Sequence, residues 1–199
     1  MKPVNFFLTG VGGQGTLLAS DVVALVGARL GYDVKKAEVH GMAQRGGSVV
    51  SQVRWAEHVY SPLISRGEAD YYLAFERLEG LRYVEFLRPG GVAVINDYAI
   101  PPLSVAAGND RYPEDEQIRR ALQEVTDHVC FVPATTIAEE LGNARTNNVV
   151  LLGALAWFLD VSADVWLEVI AERVPARFVA VNRQAFRRGH EAASRCVSV

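Results

Sequence analysis

The chain is 199 residues long, half of it hydrophobic and 22% charged, with a formal net charge of −3. That length suits a single domain spanning 1–199, and so large an apolar fraction argues against global disorder. The mildly acidic balance gives no footing for a protein built as a whole to bind nucleic acid or an anionic membrane surface.

Residues 4–8 (VNFFL) form a run that is apolar but for Asn5, as expected of a strand buried on both faces. GVGGQG (10–15) follows. Leu18, Val22, Leu25, Val26 and Arg29 then fall at helical spacing, with Gly31 as the stop. Residues 34–39 read as a second strand, making a parallel β-α-β unit. HGMAQRGG (40–47) is a loop. Residues 48–55 alternate as a strand, with 58–64 expected to pair to it through a turn at Ala56-Glu57. A short buried run at 69–75, an amphipathic helix at 77–87, a Pro89-Gly90-Gly91 turn and a strand at 92–97 come next. A proline-marked loop leads to an acidic helix start at 114–116, and 128–133 is a strand. A helix runs from Thr135 or Thr136 to Leu141, and another is capped by Asn147. Two more begin at Ser162 and Pro175. The fold class is α/β, Rossmann-like, a mostly parallel sheet flanked by helices, with a helical C-terminal layer over about 147–195.

The apolar run behind Lys2 is short and glycine-broken, and 149–159 is also too short to span a bilayer. Neither a signal peptide nor a membrane segment is expected, and a cytoplasmic location is the default. Cys130 and Cys196 are far apart and form no CxxC. Two thiolates are too few for an iron–sulfur cluster or a cysteine-rich zinc site. They read as reduced, cytosolic thiols.

GVGGQG meets G-x-G-x-x-G at Gly10, Gly12 and Gly15, in the strand–loop–helix context that brings backbone N–H groups to a phosphate. Glu38, ending the second strand, stands where a ribose-binding acid would lie. Pure strand–helix packing by the glycines is the plainer alternative, and no Walker A lysine follows. A second loop joins Arg45 to Gly46-Gly47, with His40 on the same rim of the sheet; a solvated surface turn explains it equally well. Asn96 ends a later strand at that rim. The six arginines of 171–199 read as a solvated helix face. No nucleophile elbow or metal-spaced histidine pair is present.

Five stretches carry a resemblance: GVGGQG, EVHGMAQRGGSVVSQVR (38–54), LRPGGVAVIND (87–97), VPATTIAEELGNARTNNVVLLGALA (132–156) and VNRQAFRRGHEAA (181–193). Together, in this order and across nearly the whole chain, they resemble the gamma-type subunit family of 2-oxoacid:ferredoxin oxidoreductases. The HGMAQRGG form is similar to the branch acting on indolepyruvate and other aryl pyruvates. The ending EAASRCVSV lacks that likeness. The resemblance implies oxidative decarboxylation of a 2-oxoacid with coenzyme A, giving an acyl-CoA, carbon dioxide and reduced ferredoxin. It places thiamine diphosphate, magnesium and iron–sulfur clusters on a large alpha subunit, with none of these bound by this chain alone. No catalytic residue and no metal site is then expected here. The chain contributes a rim of Gly10, Gly12, Gly13, Gln14, Gly15, Thr16, His40, Gln44, Arg45, Gly46, Gly47 and Asn96, facing coenzyme A or the partner. Two other readings compete: a free-standing NAD(P)-binding oxidoreductase, and a non-catalytic assembly or regulatory module.

Overall fold

The structure, a computed structural model, describes residues 2–40 and 46–196. Six strands are present: β1 (Val4–Val11), β2 (Asp33–His40), β3 (Ser48–Ala56), β4 (Ala69–Ala74), β5 (Leu87–Asn96) and β6 (Val129–Val132). The helices are α1 (Thr16–Arg29), α2 (Arg77–Arg82), α3 (Leu103–Ala106), α4 (Asp115–Gln123), α5 (Ala134–Glu140), α6 (Asn147–Trp157), α7 (Ala163–Arg173) and α8 (Val179–Ser194). The sheet order is β2-β3-β1-β4-β5-β6. β1, β4, β5 and β6 run parallel, and β3 lies antiparallel between β1 and β2.

Alternating residues of β1 serve opposite faces. Phe6 and Leu8 join a core with α1, α5, α6, α7 and α8, while Phe7 joins a smaller one with α4 and the 84–86 turn. The Phe6 ring lies 4.5 Å from that of Trp55, and Phe7 stacks on Phe86 at 4.3 Å. The C-terminal helical layer thus covers one face, and α2 and α4 the other.

Helices α6 and α8 cross on glycines. A methyl group at Gly153 would sit 2.0 Å from the Phe186 carbonyl oxygen, and one at Gly189 would sit 1.8 Å from that of Val150. The two backbones touch, which only glycine permits.

Several sequence expectations are corrected. β1 and β2 run parallel, yet are not neighbours, because β3 is inserted between them. β3 does not form a hairpin with 58–64. Both of its edges are already taken, one by the ladder with β1 and the other by the ladder with β2, so no edge is left for 58–64. The 58–64 segment is instead held by side chains. Val59 N–H donates to Asp33 Oδ2 at 2.8 Å, Ile64 N–H to Gln52 Oε1 at 2.6 Å, and Arg54 donates to the Leu63 carbonyl at 3.0 Å. The helix at 77–87 stops at Arg82, continues as a 3-10 turn over Val84–Phe86, and gives way to β5 at Leu87. Pro89-Gly90-Gly91 lies inside β5, where the pairing with β4 shifts register between Ala69 and Tyr71. α6 is entered from a 3-10 turn with Thr146, not Asn147, at the cap position. The cysteines are not free thiols. Cys130 on β6 and Cys196 beyond α8 form a disulfide with Cα atoms 5.3 Å apart.

Candidate functional site

In an open α/β sheet, ligands bind where successive crossovers leave for opposite faces, beyond the carboxyl ends of the strands. Here α1 leaves β1 over one face and α2 leaves β4 over the other, so the crevice opens at the tips of β1 and β4. The Phe75 carbonyl, just past β4, is its hub. Gln14 Nε2 donates to it at 2.7 Å and Asn96 Nδ2 at 3.0 Å. Gln14 Oε1 also accepts from the Val11 N–H at 2.8 Å. The side chain of Gln14 therefore clamps the glycine loop to β4, with both ends of its amide engaged inside the chain.

Gly10 is the last but one residue of β1, and its missing Cβ makes room for Phe75 Cβ and Thr16 Oγ1, each 2.8 Å from where it would stand. Gly15 enters α1 with φ +81°, and a Cβ there would meet Asn148 Nδ2 at 2.3 Å. Gly15 thus serves the turn and the approach of α6 together, and Asn148 Nδ2 donates to its carbonyl at 3.4 Å. No side chain caps α1, and its first turn carries no acid. Thr16 Oγ1 is buried without a hydrogen-bond partner among the described residues. The start of α1 thus has its positive dipole end and first N–H groups uncapped by any side chain.

The structure brings the two glycine loops together: Gly12 N–H donates to the Gly47 carbonyl at 2.8 Å. Gly46 has φ +78°, and a Cβ there would meet nothing within 4 Å among the described residues. Gln44 and Arg45 lie outside the described residues, as does the side chain of His40. Asn96 stands at the β5 tip but is fully buried. Its Oδ1 accepts from the Ala134 and Thr135 N–H groups at 3.1 and 3.4 Å, and its Nδ2 also reaches Thr135 Oγ1 at 3.0 Å. Its polar atoms anchor the β4 tip to the start of α5.

Glu38 is not brought to the glycine loop. It lies on the edge strand, two strands from β1, paired with Lys36 at 2.6 Å and reached by Ser20 Oγ at 3.4 Å. Lys36 also pairs with Asp21.

Sequence reasoning missed a pair of buried carboxylates below the crevice. Glu76 caps α2, accepting from the Glu79 N–H at 2.9 Å, and takes hydrogen bonds from the Ile100 N–H and the Tyr112 hydroxyl. Burial, and then Glu76, push the Tyr112 phenol well above its ordinary pKa. Glu79 accepts from Ser48 Oγ at 2.5 Å and Thr9 Oγ1 at 3.4 Å, and pairs with Arg82 at 3.2 Å. Burial raises the Glu79 carboxyl above its usual range, and Glu76 adds to the rise while Ser48 and Arg82 oppose it. The signal was present: Glu76 and Glu79, three apart at a helix start, have the spacing of an N-terminal capping pair. Ser48 directly follows Gly46-Gly47, so this cluster anchors the outgoing end of the second loop.

Among the described residues no group of three or more His, Cys, Asp or Glu side chains could hold a metal ion. No helix among them is long and apolar enough to cross a membrane. What the crevice offers is backbone N–H groups at a helix start, beside two joined glycine loops.

The sequence profile of the pyruvate ferredoxin/flavodoxin oxidoreductase family matches residues 5–192. The chain belongs to this family. Within the pyruvate ferredoxin/flavodoxin oxidoreductases, it is 41% identical over 202 residues to the indolepyruvate oxidoreductase subunit IorB of Pyrococcus horikoshii, with both chains fully covered. It is 40% identical to the IorB subunit of Thermococcus kodakarensis over 97% of each chain, and 40% identical to that of Archaeoglobus fulgidus over 96% of this chain and 95% of the other. Its fold matches the gamma subunit of a keto/oxoacid ferredoxin oxidoreductase from Geobacter sulfurreducens with a TM-score of 0.70 at 24% identity, covering 96% of this chain and 99% of that one. It also matches a 2-oxoglutarate:ferredoxin oxidoreductase from Magnetococcus marinus, solved with 2-oxoglutarate, coenzyme A and succinyl-CoA bound. There the TM-score is 0.72 at 24% identity, over 98% of this chain but 32% of that one. These matches bear out the expected fold class and the resemblance seen in the motifs.

Proposed function

We propose that this chain is the small subunit of an oxidoreductase that converts indolepyruvate or related aryl pyruvates, with coenzyme A, into an aryl-acetyl-CoA, carbon dioxide and reduced ferredoxin. The observation that carries this is the end-to-end identity of about 40% with the IorB subunits. Thiamine diphosphate, magnesium and iron–sulfur clusters belong, on this proposal, to a large partner subunit in the cytoplasm. Two cysteines, both in one disulfide, leave this chain no thiolates for a cluster. When bound on the partner, the thiamine supplies the carbanion and the clusters take its electrons singly. The chain is therefore not expected to be active alone.

The part proposed for this chain is recognition at the crevice. The N-terminal donors of α1 meet a phosphate or carboxylate, and Gln14 holds the loop that presents them. Arg45, next to Gly46-Gly47, adds a cation from the second loop. The anion belongs to coenzyme A or to the partner. A dinucleotide enzyme is less well supported, because Glu38 is tied into an ion-pair cluster on the edge strand. The test is Arg45→Ala in the reconstituted complex, with CoA affinity and turnover both measured. A rise in the Kd for CoA assigns the crevice to the coenzyme, and a loss of assembly assigns it to the partner. Unchanged affinity, turnover and assembly would remove Arg45 from the site.

A further inference from the structure

The two glycine loops of the crevice meet the sheet side by side. Val11, the last residue of β1, lies opposite Ser48, the first residue of β3. Above that pair the loops are joined by the Gly12 N–H and the Gly47 carbonyl. Below it they share one carboxylate. Glu79 Oε2 accepts from Ser48 Oγ at 2.5 Å and from Thr9 Oγ1 at 3.4 Å. Thr9 directly precedes Gly10, and Ser48 directly follows Gly47. One oxygen therefore holds the roots of both loops. It is well inside the protein: Glu79 is 4% exposed and Thr9 fully buried.

Linking two hydroxyls takes only a neutral acceptor, and a buried carboxylate is a costly way to supply one. Its charge has a mechanical effect. An ionised carboxylate only accepts, so both hydroxyls must donate to it, and such charge-assisted bonds are short and strong. A protonated carboxyl is itself a donor. With the proton on Oε2, the Ser48 hydroxyl has to turn away, toward the Tyr83 hydroxyl at 3.1 Å. The bond between Glu79 and Ser48 then reverses direction and loses its charge assistance. The same charge that tightens the loops costs the fold as a whole, as expected where function rather than stability sets a residue.

Few other charges face this carboxylate. From β1 and β3 it meets the neutral hydroxyls of Thr9 and Ser48. From β4 comes the phenol of Tyr72, which burial keeps protonated and which donates to the Glu79 and Gly80 carbonyls at 2.8 and 3.0 Å. On α2 itself, Arg82 pairs with Oε1 at 3.2 Å, and Glu76 stands at the cap, engaged by Tyr112. From α4, Asp115 is paired with Arg77. Burial, with Glu76 adding to it, raises the Glu79 carboxyl above its usual range against the pull of Ser48, Arg82 and Thr9.

We propose that ionised Glu79 is a positioning residue of the crevice: through Ser48 it holds the two glycine loops in register for the anion they meet, and it loosens them when it takes up a proton. This rests on the reading of the crevice given above. Glu79 touches neither the anion nor the reacting atoms, and it acts through Ser48 and the bond between Gly12 and Gly47.

The full chain is followed by NMR from about pH 4 to 8, recording the Glu79 carboxyl carbon and the Gly12 amide. The Gly12 amide should titrate with the midpoint of Glu79, and its protection against hydrogen exchange should fall several-fold below that midpoint. In Ser48→Ala, Glu79 should still titrate while Gly12 no longer follows. In Glu79→Gln, Gly12 should show no step. A Gly12 amide indifferent to the Glu79 midpoint in the unsubstituted chain, or still following it in Ser48→Ala, would overturn the proposal. In the complex reconstituted with the large subunit, Ser48→Ala should leave kcat unchanged. It should raise several-fold either the KM for coenzyme A or, where the anion is the partner's, the Kd between the subunits. If both values stay unchanged while Arg45→Ala weakens either one, the proposal fails and the crevice reading stands. If neither variant has an effect, both fail.

Discussion

Replacing Gln14 by Glu changes one atom at the clamp of the crevice. Oε1 still accepts from the Val11 N–H, but the group facing the Phe75 carbonyl at 2.7 Å turns from a donor into an oxygen. At neutral pH that oxygen is charged. The substitution removes a hydrogen bond with a net worth of about 1 kcal/mol and sets a partly buried carboxylate against a carbonyl, for a total of about 2–3 kcal/mol. Asn96 Nδ2 still serves the Phe75 carbonyl at 3.0 Å, which keeps the loss from being larger. A protonated carboxyl restores a donor, so the folded state holds this proton more tightly than the unfolded chain, whose glutamate titrates near ~4.3. The pKa is raised on folding. Stability is then fully retained below the unfolded pKa and lost as pH rises through the folded one. Urea unfolding of Q14E and of the unsubstituted chain at pH 4.5 and 7.5 measures the difference. A deficit of about 2–3 kcal/mol at pH 7.5 that shrinks below ~1 at pH 4.5 is expected. An equal deficit at both values, or none at pH 7.5, would refute the clamp.

Other changes probe the frame around the site. Gly189→Ala, with its methyl 1.8 Å from the Val150 carbonyl oxygen, should push α8 off α6. It should cost at least about 2 kcal/mol despite the better helix propensity of Ala, whereas the exposed Gln184→Ala should stay within ~0.5 kcal/mol by the same urea assay. Cys130 and Cys196 enclose a 66-residue separation, so C196S should lower stability by about 4 kcal/mol. Thiol titration of the denatured, unreduced chain should find no free thiol, and two would contradict the bridge. Because burial raises the Glu79 carboxyl, its ionised form weakens the fold, and the stability it contributes is lost as pH rises past its folded pKa. E79Q should therefore gain on the unsubstituted chain between pH 4.5 and 7.5, and a gap that widens the other way would count against the cluster around Ser48.

The parts of this fold set by local pattern were legible. The apolar run of β1, the glycine stop of α1 and the Ser162 cap of α7 follow from chemistry within a few residues. What escaped was set by distant partners. Alternation in 48–55 marks a strand but not its neighbours, and only the two ladders of β3 show that it lies between β1 and β2. The motif glycines were visible, but their reasons were not. Gly10 yields to Phe75 and Gly15 to Asn148, residues 65 and 133 positions away. Asn96 does end β5, yet its polar atoms turn inward to α5. Glu38 sat at the right strand end for a ribose acid until β3 moved it to the sheet edge. Cysteines separated by 66 residues gave no spacing to read, and their pairing depends on α8 returning to β6. Glu76 and Glu79 looked like ordinary helix charges because their burial comes from Tyr112, Ser48 and Thr9, on other elements.

The central claim is that this chain completes a two-subunit oxidoreductase whose cofactors lie on the other chain. The measurement is ferredoxin reduction by indolepyruvate and coenzyme A, using the large subunit alone, this chain alone, and the two co-expressed. The account predicts activity only in the pair, which should co-purify with thiamine diphosphate and iron–sulfur clusters held by the large chain. Full activity of the large subunit without this chain, or failure of the two to associate, would contradict it.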